Sequence, residues 1–317
     1  MYSIGVDLGG TNIAIGIVDE NCSIIQKGKV PTGKERHSDE IVRDMAGLCA
    51  SLVEQAGLSF EDIAFVGIAA PGSVDPKRGE VKYANNINML HYPIAEKLKS
   101  HIPVKKVYLE NDANAAALAE AKAGAGKGHN DVIMITLGTG VGGGIVIGGK
   151  LYSGFNYAGA ELGHVVIEYN GRPCTCGRRG CWEAYSSATA LIAFTKEKIQ
   201  QTQDTVMWEM VDHSLDKISG RTAFKAAREG DAAGREVVDT YINYLACGIT
   251  NMVNIFQPEV LCIGGGVCGE GDYLLAPLKE IVDRDQYGSG AHDDKTVIKI
   301  AELGNDAGII GAALLGF

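Results

Sequence analysis

His164, Cys174, Cys176 and Cys181 fall within 18 residues, with the spacing His-x9-Cys-x-Cys-x4-Cys. One imidazole and three thiols are a complete donor set for tetrahedral zinc, and with all four positions filled by protein the ion is structural. A disulfide is the competing use. Three clustered cysteines leave one over, however, and a reducing compartment keeps all of them as thiols. Glu183 follows Cys181 by two residues, so closing this loop brings it towards Glu161 and His164. The remaining cysteines, Cys22, Cys49, Cys247, Cys262 and Cys268, lie in apolar surroundings and read as small buried hydrophobes.

A second kind of chemistry is written in glycine. Asp7-Leu8-Gly9-Gly10-Thr11-Asn12 follows an apolar run, Gly138-Thr139-Gly140-Val141-Gly142-Gly143-Gly144 follows another, and Gly264-Gly265-Gly266 a third. Glycines let backbone N–H groups approach a phosphate, Thr11 and Thr139 add hydroxyls, and an aspartate such as Asp7 can hold magnesium through water. The third cluster would allow close approach of an adenine or ribose. None of the three is a Walker A loop or a Gly-x-Gly-x-x-Gly fingerprint, and the plain alternative is tight turns using glycine at positive φ. Asp112, in Glu110-Asn111-Asp112, stands between a short apolar run and a helix-forming one. It reads either as a helix N-cap or, beside phosphate loops, as the acceptor of a hydroxyl proton.

The elements that must position these residues alternate. Strands are expected at Ser3–Val6, Ile13–Val18, Lys29–Thr32, Ile63–Ala69, Val107–Leu109, Ile133–Leu137 and Val260–Ile263. Ile41, Met45, Leu48 and Leu52 mark a helix over Ser38–Ala56, Ala113–Ala123 is a second ended by Gly124, and Asp306–Leu315 a third of small residues. Alternation makes the class α/β. Ile4–Gly9 overlays Ile133–Gly138 at an offset of 129 residues, which suggests an internally duplicated fold. The uncharged window Val132–Gly149 has the length of a membrane span, but seven of its residues are glycine and it reads as a hairpin around a functional loop.

Composition narrows the function classes. A chain of 317 residues suggests two domains. Its net charge of -10 disfavours nucleic acid, and no leader-like segment opens it, so the expectation is a cytoplasmic protein with no membrane and no nucleic-acid partner. Glycine, at 42 residues, is about twice the usual share of ~7%.

Together these motifs resemble the sugar-kinase, heat-shock and actin-type ATPase fold. Within it the chain resembles the ROK family, on Asp7–Asn12, Glu110-Asn111-Asp112-Ala113-Asn114-Ala115, Leu137–Gly142, Gly159-Ala160-Glu161-Leu162-Gly163-His164, and Cys174-Thr175-Cys176-Gly177 with Gly180-Cys181-Trp182-Glu183. The resemblance covers essentially the whole chain. It implies a two-domain, duplicated, actin-like or ribonuclease-H-like fold, with residues 1–112 plus 304–317 as a small domain and 113–303 as a larger one carrying the zinc loop. It implies an ATP- and magnesium-dependent hexose kinase with structural zinc on the four ligands above. Asp7, Gly9, Gly10, Thr11, Asn12 and Thr139 would serve the phosphates, and Gly264, Gly265 and Gly266 the adenosine. Asp112 would be the catalytic base, with Asn86, Asn111, Asp112, Glu161, His164 and Glu183 on the sugar. Glucose, phosphorylated at the 6-hydroxyl, is the expected substrate, with N-acetylmannosamine, N-acetylglucosamine or fructose as alternatives. Where the family's glucokinases commonly have Asn-Leu and then Trp, this chain has Asn86-Ile87 and Met89, which leaves Asn85 or Asn86 as the sugar contact. A sugar-sensing repressor is less expected, since its helix-turn-helix would precede a strand that here starts by residue 3. A homodimer or homotetramer is what the resemblance suggests.

Overall fold

The structure is a computed structural model that describes residues 1–84, 87–291 and 293–317. The chain divides into two compact units, Met1–Met134 with Gly144–Ala160 and Ala301–Phe317, and Ile135–Gly143 with Glu161–Ile300. Helix α3, described below, therefore goes with the first unit from its first residue, Asp112, onwards.

In order, the first elements are β1 (Tyr2–Leu8), β2 (Asn12–Val18), β3 (Ile24–Pro31), α1 (Ser38–Gln55), β4 (Ile63–Ala70), β5 (Ser73–Asp75), β6 (Glu80–Ala84), β7 (Met89–Tyr92), α2 (Ile94–Lys99), β8 (Val107–Asn111) and α3 (Asp112–Ala123). The chain continues through β9 (Val132–Leu137), β10 (Val141–Ile147), β11 (Lys150–Tyr152), α4 (Glu183–Ser186), α5 (Ala188–Gln201), α6 (Met207–Met210), α7 (Thr222–Arg228) and α8 (Ala232–Phe256). It closes with β12 (Val260–Gly264), α9 (Asp272–Asp285), β13 (Val297–Ile300) and α10 (Ala307–Leu314).

One sheet has the order β3-β2-β1-β4-β8. Its first three strands are an antiparallel meander, and β4 and β8 add in parallel. Strand alternation decides which side chains go where. Ile4, Val6 and Leu8 of β1 join Val66, Ile68 and Ala70 of β4 in the core that holds Ile41, Met45 and Leu52 of α1. The intervening Gly5 and Asp7 face α10 instead, because Gly5 lies against Ile309 and Asp7 against Gly308. A second sheet runs β11-β10-β9-β12-β13, with β11 antiparallel to β10 and β13 parallel to β12. The uncharged window is thus two adjacent strands, and among the described residues no helix is long and apolar enough to cross a membrane.

The small sheet β5-β6-β7 was not expected from sequence, its strands being too short for a period-2 pattern to register. The third expected strand also starts earlier than Lys29, at Ile24, because all of β3 pairs with β2. In the second unit the 25-residue α8 packs with α4, α5, α7 and α9, and Trp182, Phe224 and Tyr241 are fully buried there.

Candidate active site and metal centre

In the first unit the β1–β2 turn carries Gly9, Gly10 and Thr11. Gly9 N–H donates to the Asn12 carbonyl at 3.0 Å, and Thr11 and Asn12 are exposed at its tip. A residue that sequence reasoning missed shapes this turn. Thr32 is completely buried, its hydroxyl donates to the Gly9 carbonyl at 2.6 Å, and its N–H donates to the Thr11 carbonyl at 2.8 Å. Its only sequence signal is a polar residue directly after the amphipathic strand β3.

Asp7, on the α10 face of β1, sits so close to that helix that a Cβ on Gly308 would stand 2.6 Å from its carboxylate. Burial pushes the Asp7 carboxyl up to about 6, and the negative charge of Asp112 adds to the rise. The two carboxylates therefore share one electrostatic environment. Asp112 is exposed and is the first residue of α3. The cap is Asn111, whose Oδ1 accepts from the N–H groups of Ala113 at 2.9 Å and Asn114 at 3.2 Å. The capping role open to Asp112 in the sequence thus falls mainly to its neighbour, although Asp112 Oδ1 also accepts from Ala113 N–H at 2.8 Å. Asn111 Nδ2 donates to the Gly72 carbonyl at 3.1 Å. Beneath them Glu110 is buried, accepts from Asn111 N–H and Asn114 Nδ2, and has its carboxyl raised by that burial. Asn85 and Asn86 lie outside the described residues. Ile87 and Met89, where the chain departs from the glucokinase pattern, are both buried in the first unit's core.

In the second unit the ligand atoms of His164, Cys174, Cys176 and Cys181 all lie within 4.8 Å of one another. His164 Nδ1 is 3.6 Å from Cys174 Sγ, and Cys176 Sγ is 3.7 Å from Cys181 Sγ. A tetrahedron with Zn–S of ~2.3 Å and Zn–N of ~2.0 Å has edges of roughly 3.8 Å between sulfurs and 3.5 Å between nitrogen and sulfur. The donor set fits zinc, whereas a disulfide needs sulfurs ~2.05 Å apart. Burial raises the Cys181 thiol to about 12 and also raises Cys174, while the Arg178 backbone N–H lowers Cys176.

Glu183 opens α4 and joins this loop to the second glycine turn. Its Oε1 accepts from the Thr175 hydroxyl at 3.1 Å and from Cys174 Sγ at 3.6 Å, and its Oε2 accepts from Val141 N–H at 3.1 Å. Glu161 is exposed and precedes the 3-10 turn Leu162–His164. Thr139 is exposed on the glycine turn, with its carbonyl accepting from Thr189 Oγ1 at 2.8 Å. Gly264 is buried at the end of β12, while Gly265 and Gly266 are exposed. Gly265 has φ +98°, and a Cβ there would meet the Leu137 carbonyl at 2.2 Å, so the backbone path next to β9 requires glycine. Each unit thus presents its own set of backbone turns and polar side chains.

Comparison with known proteins gives a consistent result. A family model described as the ROK family matches residues 3–316. The glucokinase of Streptomyces coelicolor is 40% identical over 313 residues, covering 98% of this chain and 96% of that one. The glucokinase of Thermotoga maritima is 38% identical over 312 residues, covering 98% and 95%. The crystal structure of a ROK family glucokinase from Streptomyces griseus in complex with glucose and AMPPNP is similar with a TM-score of 0.80 at 38% identity, covering 99% of this chain and 98% of that one.

Proposed function

The chain belongs to the ROK family and is one of its sugar kinases, and from that premise we propose that it transfers a phosphoryl group from ATP to the 6-hydroxyl of glucose, giving glucose 6-phosphate and ADP. The observation that carries the choice of sugar is the similarity, over nearly the full length, to two glucokinases at 38% and 40% identity.

In this reading Asp112 takes the proton of the attacking hydroxyl. It is exposed at a helix start, where Asn111 is the cap of α3 and Asp112 Oδ1 also accepts from Ala113 N–H. Asn111 would offer the sugar its second amide N–H, with Asn86, Glu161, His164 and Glu183 as further hydroxyl partners. A site built to hydrogen-bond particular hydroxyls rejects sugars that lack them by large factors. Gly9, Gly10, Thr11, Asn12 and Thr139 serve the phosphates, and Gly264, Gly265 and Gly266 the adenosine. Asp7 is the carboxylate that would hold magnesium, which when bound neutralises phosphate charge during transfer. His164 Nδ1 and the sulfurs of Cys174, Cys176 and Cys181 would hold a structural zinc, which fixes the loop that supports Glu183.

Internal duplication is part of the same proposal. Each five-stranded sheet begins with three strands consecutive in the chain and continues with two later ones, β4-β8 in one and β12-β13 in the other, which supports a repeated unit. A cytoplasmic homodimer or homotetramer is the remaining expectation, and it rests on the family alone. An ADP-release assay across a panel of hexoses tests the substrate. Glucose should give the highest kcat/KM, and a higher value with fructose or an N-acetylated hexose overturns the assignment.

A further inference from the structure

We propose that Glu120 is a positioning residue for the phosphoryl-transfer reaction, setting where Asp112 and Asp7 stand relative to one another. It rests on the reading of Asp112 as the base. Glu120 is completely buried near the C-terminal end of α3, yet its carboxylate accepts from three backbone N–H groups. Oε2 takes Ala125 N–H at 2.8 Å and Glu302 N–H at 3.1 Å, and Oε1 takes Leu303 N–H at 2.8 Å. A carboxylate out of water is costly unless such dipoles satisfy it, and bonds of this charge-assisted kind are about twice as strong as neutral ones.

The partners are what make this clamp relevant to catalysis. Ala125 is where the chain leaves α3, the helix that opens with Asp112. Glu302 and Leu303 lie just before α10, the helix whose Gly308 backs the Asp7 carboxylate. Asp112 and Glu120 are eight residues apart, about 12 Å along α3. The two helices also pack directly, with Ala115 and Ala312 in one cluster, Ala119, Ala307 and Ile310 in another, and Gly311 against the Ala115 carbonyl. To this close packing the Glu120 carboxylate adds a hydrogen-bonded tie between the end of α3 and the segment that enters α10. Gly124 completes the clamp, since a Cβ there would stand 2.0 Å from Glu120 Oε2.

The test compares Glu120→Gln, Gly124→Ala and the double variant. Glu120→Gln replaces one acceptor oxygen by an amide that cannot accept, and Gly124→Ala pushes on the intact carboxylate. Misplacing a reacting group by about 1 Å costs roughly a hundredfold in rate, so a fraction of that shift should lower kcat at least about tenfold with KM for glucose and ATP within about threefold. Because both changes act on one contact, the double variant should lose no more than the worse single one. If Glu120→Gln does not accumulate as folded protein, the kcat and KM of Gly124→Ala decide alone. Wild-type kcat in a folded variant, a loss confined to KM, or additive losses overturn the proposal. Asp112→Asn, run beside them, separates the two ideas. If it keeps wild-type kcat, the base assignment fails; if it is inactive while Glu120→Gln is normal, only the clamp fails.

Discussion

Replacing Cys176 by serine removes one corner of the tetrahedron, and the structure sets out the consequences. Cys176 is the exposed member of the set, so the change opens no cavity in the core. What it removes is a thiolate 3.7 Å from Cys181 Sγ, and with it the anchor of the segment that carries Thr175. Thr175 donates its hydroxyl to Oε1 of Glu183, and hydrogen bonds to a charged group are worth about 1.5–3 kcal/mol. If the equivalent of one such bond in Glu183 positioning is lost, kcat/KM for glucose should fall by roughly 10- to 150-fold at 1.4 kcal/mol per decade. KM for ATP should move less, because the bond from Val141 N–H to Oε2 does not involve the metal loop. Metal analysis should give about one zinc per wild-type chain, as a one-His, three-Cys site requires, and little in the variant. Zinc-free wild-type protein with full activity, or a zinc-free variant with unchanged glucose kinetics, would refute this chain of reasoning.

Asp7 carries a pH prediction. Its carboxyl is raised from the ordinary 3.8 to about 6, so the folded protein favours the protonated form, and that stability is present below pH 4 and lost as pH rises through 6. Without ATP or magnesium, Asp7→Asn should raise the melting temperature at pH 8 by the equivalent of roughly 2–3 kcal/mol and match wild type near pH 3.5, whereas a variant less stable than wild type at pH 8 contradicts the assigned burial. Thr32→Val leaves the Gly9 carbonyl without its buried donor, a loss of about 1–3 kcal/mol, so KM for ATP should rise several-fold while KM for glucose holds. An ATP titration with unchanged KM removes Thr32 from the phosphate turn.

The family and the α/β sugar-kinase fold were legible because their signals are local: glycine turns after apolar runs, and a dense histidine–cysteine spacing. Helix α1 was legible for the same reason, its apolar residues recurring at the helical period. Other features depend on partners distant in the chain. Thr32 matters through a carbonyl 23 residues away, and Glu120 through N–H groups 182 and 183 residues away, and backbone groups carry no sequence signature. The sequence offers Asp112 as the cap of α3 or as a proton acceptor, and the cap is instead its neighbour Asn111, a residue equally suited to the role that only backbone geometry singles out. Likewise, nothing local indicates that Glu183 bridges two turns.

The most direct test of the account is the turnover of Asp112→Asn. Asparagine keeps an oxygen for the Ala113 N–H, and Asn111 still caps α3, so the helix should survive intact. What disappears is the basic carboxylate, and a general base typically contributes about 10²–10⁴-fold. With circular dichroism and the binding of glucose and ATP unchanged, kcat should fall at least about a hundredfold on that scale. A folded, substrate-binding variant whose kcat stays within about threefold of wild type, too small a loss for a general base, would contradict the account.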